Sequence, residues 1–373
     1  MTKKVVHLTS VHPRNDTRIV IKQCSSLAAH GYDVTLVVAD GKGHEWTGKV
    51  KIVDVGYLPG RFNRMFKTTR RVLKKAIELD AELYHLHDPE LIPIGLKLKR
   101  MGKRVIFDSH EDVPADIRDK PYINYFARTV LSKIYQLYES LTLGKFDAII
   151  AATPTISGKL LTINANTWNV NNYPIMGELI AGVVGNWNSR EHQVCYVGGI
   201  SNLRGIGEVV HALELTTSDA RLQLAGKFSE TEVETEVKVK AHAGWKYVDE
   251  LGHLNREDVG TMLSRCMAGL VTFLPSSNHI DAQPNKMFEY MSASVPVIAS
   301  NFPLWREIVE GSACGLCVDP LQPKEIADAI DFILENPERA RQMGENGQRA
   351  VEKRYNWGIE EGKLLTIYAQ LLA

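Results

Sequence analysis

The sequence has few cysteines, no long hydrophobic run and no net charge of either sign. Five cysteines in 373 residues are too few and too scattered for a disulfide framework, which favours a reducing compartment. No window approaches the roughly 18 consecutive apolar residues of a membrane-spanning helix, and the N-terminus lacks the apolar core of a signal peptide. We therefore expect a cytoplasmic protein that is neither exported by that route nor integral to a membrane.

Several catalytic motifs are also missing from the sequence. There is no Walker loop and no Gly-x-Ser-x-Gly nucleophile elbow. An Asp-x-Asp pair of the kind that holds a metal ion on a sugar diphosphate is absent as well. These absences argue against a P-loop nucleotidase, an α/β-hydrolase and a metal-dependent transferase.

The zero net charge hides an uneven distribution. Residues 1–170 carry 26 Lys or Arg against 17 Asp or Glu, a net charge of +9, and residues 171–373 carry 18 against 27, a net charge of −9. Much of the basic excess lies among apolar residues at helical spacing, which indicates either a helix lying on an anionic membrane or an ordinary surface helix. Its cations are Arg61, Arg64, Lys67, Arg70, Arg71, Lys74 and Lys75. No nucleic-acid-binding motif accompanies them, so we expect no nucleic-acid partner.

Short β-branched runs alternate with helical stretches in both halves, which predicts βα units around parallel sheets. The predicted strands are 5–9, 34–38, 83–86, 105–107, 148–151, 194–197, 222–225, 269–272, 295–299 and 316–318. Asn- and Gly-rich residues 171–190 predict a linker between an N-terminal domain over 1–170 and a C-terminal domain over 191–354. Residues 355–373 predict a final helix that can pack back on the N-terminal domain.

The densest group of candidate residues lies in HIDAQPNKMFEYMSASVPVIAS, residues 279–300. Asn285 and Lys286 come beside a proline that suits the first turn of a helix, where free N–H groups and a cation can hold a phosphate without a metal. The carboxylates of Asp281 and Glu289 would repel a phosphate unless they bind something else, such as sugar hydroxyls. An amphipathic helix with a solvated Glu and Lys fits the same spacing.

This segment resembles the C-terminal signature of family-4 retaining glycosyltransferases, in which two glutamates separated by seven residues precede a Pro-Val-Ile stretch. Here the pair is Asp281 and Glu289, followed by SASVPVIAS. The resemblance implies the GT-B fold, two Rossmann-like doubly wound α/β domains facing across a cleft. It implies that Glu289 holds the ribose and Asp281 the sugar of a nucleotide-diphosphate sugar, without a metal or other cofactor.

The resemblance also suggests which substrates the protein uses. The transferred group would be a hexose or N-acetylhexosamine from a nucleotide sugar that is usually a UDP sugar, although a GDP sugar stays open. The PNK variant of the signature, which includes Lys286, resembles a branch that acts in bacterial O-antigen, capsule or exopolysaccharide synthesis. Its acceptor would be a lipid-linked saccharide, so we expect peripheral contact with the cytoplasmic face of an anionic inner membrane.

The segment CYVGGISNLRGIGEVVHAL, residues 195–213, resembles the glycine loop that opens the second domain of this family. The resemblance implies that Arg204, just before Gly205, grips the donor diphosphate. Many members carry an arginine where this chain has Gly199, so Lys286 would supply the second positive charge. Gly252 matches the turn that borders the nucleotide base.

Two segments of the first half match the family as well. HPRNDTRI, residues 12–19, resembles the loop against donor phosphate and acceptor, which would give Asn15, Asp16 and Arg18 ligand roles. Asp16 equally fits a simple helix cap. His110 in FDSHEDVP matches a histidine that faces the donor sugar and diphosphate. No protein general base is assigned, because the donor phosphate can take the acceptor proton.

Other interpretations of these residues stay open. His85, His87, Asp88, His110 and Glu111 permit a zinc or dinuclear hydrolase site, but their spacing is not specific and we predict no metal. A non-hydrolysing sugar-nucleotide epimerase or phosphorylase shares the predicted fold. A non-enzymatic sugar-nucleotide or lipid-binding protein is a further alternative, and the sequence leaves the oligomeric state open.

Overall fold

The computed structural model describes residues 2–120, 123–179, 187 and 190–373. The chain divides into two compact units. The first contains residues 1–172 and 357–373, and the second contains residues 173–356. Residues 180–186, 188 and 189 of the predicted linker lie outside the described residues.

The first unit is built on a sheet with the strand order β3-β4-β2-β1-β5-β6-β7-β8. The strands are β1 Lys4–Leu8, β2 Asp33–Val38, β3 Glu45–Thr47, β4 Val50–Asp54, β5 Leu83–Leu86, β6 Arg104–Ser109, β7 Ala148–Ala151 and β8 Thr167–Asn169. All neighbours are parallel except β3, which runs antiparallel to β4. The central strands are buried, and their apolar runs are typical of a parallel sheet covered on both faces.

Helices connect these strands. They are α1 Ser25–Ala29, α2 Arg61–Asn63, α3 Thr69–Leu79, α4 Ile92–Arg100, α5 Val113–Asp119, α6 Tyr125–Thr142 and α7 Pro154–Leu161. Two segments are π-helical, Thr17–Cys24 before α1 and Arg64–Thr68 between α2 and α3.

The second unit has a six-stranded parallel sheet in the order β11-β10-β9-β12-β13-β14. Its strands are β9 Gln193–Val197, β10 Arg221–Ala225, β11 Val248–Gly252, β12 Ala268–Val271, β13 Val297–Ser300 and β14 Gly315–Val318. Its helices are α8 Ile206–Leu215, α9 Val233–Lys240, α10 Arg256–Arg265, α11 Ser277–Ile280, α12 Asn285–Ser292, α13 Pro303–Val309, α14 Pro323–Glu335 and α15 Pro337–Lys353. The last helix, α16 Trp357–Leu372, belongs to the first unit, where Trp357 Nε1 donates to Ser26 Oγ at 2.9 Å.

The two sheets confirm the predicted fold class of two Rossmann-like α/β domains. All ten predicted strands are present, with ends that differ by at most two residues. The unpredicted strands include β3, which is fully exposed, and β11, whose residues are half-buried or exposed. Because such edge strands bury little apolar surface, they carry no strong hydrophobic pattern. Within the described ranges, no helix combines the length and the apolar character that crossing a bilayer requires.

Candidate active site

In the second unit, the end of β9 opens into a glycine loop that packs tightly against neighbouring backbone. A Cβ atom on Gly226 would lie 1.9 Å from the carbonyl oxygen of Gly198, and one on Gly205 would lie 2.0 Å from the carbonyl oxygen of Thr272. Gly205 also has a φ of +75°, which favours glycine. Small residues therefore let the loop and the N-terminus of α8 approach the strand ends, where parallel sheets bind ligands.

Arg204 turns its side chain back over this loop. Its Nη1 donates to the carbonyl oxygen of Gly199 at 2.8 Å. A Cβ atom on Gly199 would lie only 2.6 Å from that nitrogen, so the Arg204 guanidinium fills the space that a side chain at position 199 would need. A side chain at position 199 would therefore displace the Arg204 guanidinium from this position.

Lys286, in the first turn of α12, is the strongest candidate for an anion ligand. Its side chain is buried, and among the described residues its Nζ has no hydrogen-bond partner. The Nζ lies 3.5 Å from the centroid of the Tyr196 ring. Burial and then repulsion from Arg204 lower the Lys286 pKa well below its usual value, although Glu289 opposes the shift. A buried cation without a hydrogen bond is costly, and a bound anion would relieve that cost.

Glu289 lies one turn further along α12 and is half-buried. Its Oε1 accepts from Arg256 Nη1 at 2.8 Å, and Arg256 Nε donates to Glu178 Oε1 at 2.8 Å. These ion pairs hold the Glu289 carboxylate in a fixed position. Asp281, at the end of α11, and Asn285 are both exposed. The structure therefore fixes one acid of the predicted pair more firmly than the other.

The predicted base-binding turn lies near the glycine loop. Gly252 ends β11 with a φ of +67°, and its carbonyl oxygen accepts from the N–H of Gly226 at 2.7 Å. Thr272 follows β12, and its buried Oγ1 has no hydrogen-bond partner among the described residues. A polar ligand at this edge of the sheet would therefore find backbone and hydroxyl groups as well as cations.

In the first unit, Asp16 acts as a helix cap. Its Oδ1 accepts from the N–H groups of Arg18 and Ile19 at 2.9 Å each. Its Oδ2 lies 3.5 Å from His12 Nδ1. Burial alone would raise the Asp16 pKa, but the His12 hydrogen bond and the Ile19 N–H lower it to about 2. Asn15, beside the cap, is exposed.

Arg18, which is predicted to be a ligand in the same loop, makes its hydrogen bonds inside the first unit. The Arg18 guanidinium is buried, and its Nε and Nη2 donate to the two carboxylate oxygens of Asp108 at 3.0 and 2.7 Å. Its Nη1 donates to the carbonyl oxygen of Val170 at 2.9 Å. This bidentate pair uses the fork of the guanidinium, so the contacts of Arg18 argue against its ligand role, which stays a prediction.

Asp108 anchors a chain of histidines at the ends of β1, β5 and β6, in which His7 and His87 are buried and His110 is half-buried. His110 Nε2 and His87 Nδ1 lie 3.3 and 3.5 Å from Asp108 Oδ2. His87 Nε2 lies 2.9 Å from His7 Nδ1. Burial, and then repulsion between the rings, lowers the pKa of His7 well below the usual range and that of His87 to about 3. The inner part of the chain is therefore neutral at physiological pH.

The chain ends on α16. The Tyr368 hydroxyl lies 3.0 Å from His7 Nε2 and 2.8 Å from His85 Nδ1. His87 Nδ1 also lies 3.2 Å from His110 Nε2. Because each imidazole nitrogen donates or accepts according to its tautomer, the chain of hydrogen bonds can run in either direction. In both directions the Tyr368 hydroxyl donates to one histidine nitrogen and accepts from the other, while His85 Nε2 lacks a hydrogen-bond partner within the described residues.

The same side chains also approach the geometry of a metal site. Each of two groups has its ligand atoms within 4.8 Å of one another, His7 with His85 and His87, and His87 with Asp108 and His110. However, Arg18 already neutralises Asp108, and its positive charge would oppose a divalent cation at the second group. The imidazole nitrogens of the first group are largely used in the hydrogen-bonded chain. The residues therefore fit a neutral polar chain better than a metal centre.

The basic segment predicted to lie on a membrane forms α2, the π-helical turn and α3. Most of its cations are exposed, namely Arg61, Lys67, Arg70, Arg71 and Lys74, while Arg64 and Lys75 are half-buried. Arg64 Nε lies 2.8 Å from Glu90 Oε1.

Sequence reasoning missed several residues that hold these sites together. His7 is a polar residue within an apolar strand, and Asp108 is on β6, two residues before His110. The alternation of side chains along each strand could therefore have indicated both residues. Arg256 and Tyr368 left no such signal, because their partners are remote in sequence.

Comparisons with known proteins identify related chains. The family model described as "Glycosyltransferase Family 4" matches residues 17–166, and that described as "Glycosyl transferases group 1" matches residues 183–350. Alpha-D-kanosaminyltransferase from Streptomyces kanamyceticus is 25% identical over 181 residues, which is 48% of this chain and 45% of that protein. The chain thus matches less than half the length of this curated relative.

Solved structures show the same fold over nearly the whole chain. Sucrose-phosphate synthase from Thermosynechococcus elongatus superimposes with a TM-score of 0.77 at 18% identity and covers 99% of both chains. HepE from Anabaena, solved in complex with UDP, gives a TM-score of 0.73 at 11% identity over 99% of this chain and 100% of that one. With both of its units matched by their family models, the chain belongs to the family-4 glycosyltransferases of the GT-B fold.

Proposed function

We propose that the protein is a retaining, metal-independent glycosyltransferase that moves a hexose or N-acetylhexosamine from a UDP sugar to a lipid-linked saccharide. The proposed role is synthesis of a bacterial O-antigen, capsule or exopolysaccharide. The resemblance of the 279–300 signature to the surface-polysaccharide branch supports this role.

One observation carries the donor assignment. The buried Nζ of Lys286 has no hydrogen-bond partner among the described residues, and it lies beside the glycine loop that also carries Arg204. A Cβ atom on Gly198 would lie 3.6 Å from this Nζ, so the ammonium faces the loop backbone closely. A diphosphate is the anion that two cations and a glycine loop suit best. UDP is proposed as its carrier because HepE, a protein of the same fold, was solved with UDP.

The chemistry follows from this assignment. The bond between the sugar C1 and the diphosphate oxygen breaks, the acceptor hydroxyl oxygen bonds to C1, and the acceptor proton passes to a phosphate oxygen of the departing UDP. Arg204 and Lys286 would stabilise the negative charge that develops on that diphosphate, the step where fixed charges contribute most. Glu289, held by Arg256, is proposed to bind the ribose hydroxyls. Asp281 and His110 are proposed to orient the transferred sugar.

We propose contact with an anionic membrane from the positive charge of the first unit. The first unit carries the basic segment, with Arg70 and Lys74 among its exposed cations. Anionic lipid attracts such segments by about 1 kcal/mol for each basic residue near the surface. Peripheral contact with the membrane would bring the enzyme to a lipid-linked substrate.

The experiment is a transfer assay with UDP, GDP and ADP sugars, in which UDP release and the configuration of the new glycosidic bond are measured by NMR. We expect release of UDP together with a product that keeps the donor's anomeric configuration. Inversion would refute the retaining mechanism, and preference for a GDP sugar would refute the choice of UDP. Product without release of nucleotide diphosphate would instead favour an epimerase or phosphorylase, and donor binding without transfer would favour a binding protein.

A further inference from the structure

Helix α6 exposes a row of large apolar residues and buries three polar ones, unlike an ordinary surface helix. Its buried residues are Ser132, Glu139 and Thr142. Its large exposed residues include Phe126, Val130, Ile134, Leu137 and Leu141, which recur every three or four positions and which we call the apolar stripe. A stripe of this kind on a helix with a polar inner face indicates contact with something apolar outside the fold.

Beside α6 lies a cavity of about 860 Å³, which we call the apolar cavity. Its lining includes Met65 and Phe66 of the π-helical turn, Ile117 of α5, and Leu131 and Ile134 of α6. This volume falls within the range of about 300–1,000 Å³ that small-molecule sites occupy. Since Ile134 belongs to both the cavity lining and the apolar stripe, the cavity is continuous with the stripe.

A second cavity of about 670 Å³, the polar cavity, adjoins the first. Its lining includes Ser10 and His12 after β1 and Asp40 after β2, at the carboxyl ends of the strands. The two cavities share three cationic residues, Arg61, Arg64 and Lys120. The surface thus presents the polar cavity, then the three shared cations, which we call the cationic junction, and then the apolar cavity.

We propose that these adjoining cavities bind the lipid-linked acceptor. The saccharide occupies the polar cavity, the phosphate or diphosphate lies at the three shared cations, and the first carbons of the hydrocarbon chain fill the apolar cavity. The rest of the chain leaves along the apolar stripe. This inference rests on the proposed function, since it locates the acceptor of that reaction.

Two of the three cations at the cationic junction already lie beside carboxylates. Arg64 Nε lies 2.8 Å from Glu90 Oε1, and Lys120 Nζ lies 3.1 Å from Asp116 Oδ2, so an anion has to share these cations with carboxylates. A phosphate group alone therefore binds weakly, and so does a hydrocarbon chain alone. Only a ligand that carries both parts gains from both cavities, so we expect it to bind more tightly than free phosphate or plain lipid.

The test measures binding of farnesyl diphosphate to the full chain by titration calorimetry, below the concentration at which it forms micelles. Farnesol and inorganic pyrophosphate are titrated in parallel. We expect farnesyl diphosphate to bind at least tenfold more tightly than either. Ile134→Glu should weaken its binding at least tenfold, because the new carboxylate enters the apolar cavity. Arg61→Gln should weaken the binding of farnesyl diphosphate but not that of farnesol.

Leu161→Glu is the matched control. Leu161 is 50% exposed and Ile134 58%, but Leu161 ends α7 and belongs neither to the apolar stripe nor to the lining of the apolar cavity. Its substitution should change the affinity for farnesyl diphosphate by less than twofold. Equal losses from the two glutamate variants would mean unspecific adsorption to exposed apolar surface and would overturn the proposal.

UDP titrations of the same samples separate this inference from the proposed function. If the wild-type chain binds UDP but not farnesyl diphosphate, the acceptor site is refuted and the donor assignment stands. If it binds farnesyl diphosphate but not UDP, the proposed function is refuted while the lipid-phosphate site remains. Binding of both ligands, with the expected responses of the three variants, supports the proposal.

Discussion

Replacing Lys286 by methionine should have opposite effects on stability and on donor binding. The ammonium is buried and unpaired among the described residues, so the folded second unit bears its desolvation cost without a hydrogen bond in return. The Tyr196 ring offsets part of that cost through a cation–π contact of about 2 kcal/mol. Methionine fills a similar volume without charge. We therefore expect the free energy of unfolding to rise by about 1–3 kcal/mol.

The same substitution, Lys286→Met, should weaken the binding of UDP. Loss of one charge-assisted hydrogen bond costs about 1.5–3 kcal/mol, which corresponds to an affinity that is roughly 10- to 150-fold weaker. The assays are urea unfolding followed by the fluorescence of the second unit, and titration calorimetry with UDP. A Lys286→Met variant that is less stable than the wild type, or that binds UDP equally well, would refute the reasoning.

The lowered pKa of Lys286 adds a dependence on pH. Between this lowered pKa in the folded protein and the usual lysine value of 10.5, the unfolded chain holds a proton that the folded chain has lost. Stability of the wild type therefore rises with pH in this window, and the advantage of the methionine variant shrinks. Binding of a diphosphate favours the charged form, so UDP binding should take up as much as one proton per site and weaken as the pH rises. Calorimetry in buffers of different ionisation enthalpy measures this uptake, which Lys286→Met should abolish.

Three further predictions concern other parts of the molecule. Tyr368→Phe removes the hydroxyl that joins two buried histidine nitrogens, so the unfolding free energy should fall by about 2–4 kcal/mol in urea titrations. Tyr32→Phe, at a half-buried ring that packs against Tyr368, should cost far less, and equal losses would argue against the polar chain. Transfer should persist in EDTA, and its abolition would contradict a metal-free reaction. The double change Arg70→Gln with Lys74→Gln should weaken sedimentation with anionic vesicles by roughly tenfold or more at low salt, with little effect at 1 M salt; unchanged sedimentation would remove the proposed role of the basic segment.

The candidate residues of the two units differ in how much of their surroundings can be predicted from the sequence. The glycine loop, Arg204 and Lys286 lie within short motifs that follow strands, and a motif of this kind carries its local geometry with it. Arg18, by contrast, looked like a loop ligand because only its neighbours in sequence were visible. Its partner Asp108 is 90 residues away, and this pairing turns the side chain inward.

The orientation of α6 and the position of Tyr368 also depend on tertiary contacts that the sequence does not reveal. The spacing of apolar residues can indicate that a segment such as α6 is helical, but it cannot tell whether the apolar side faces the core or the outside. Only packing shows that Ser132 and Glu139 are buried while Ile134 is exposed. Tyr368 likewise joins the histidine chain across 361 positions of sequence from His7.

By itself, the sequence determined the alternation of strands and helices, the fold class, and the glycine and lysine motifs of the proposed donor site. These follow from local hydrophobic periodicity and from turns that only certain residues can make. Tertiary structure alone decided which polar side chains are paired and which are left without a partner. Burial removes water from Lys286 and Asp108 alike, but of these two groups only Asp108 has a hydrogen-bonded counter-charge among the described residues. We therefore expect a ligand to bind to Lys286 and to supply the missing hydrogen-bond partner.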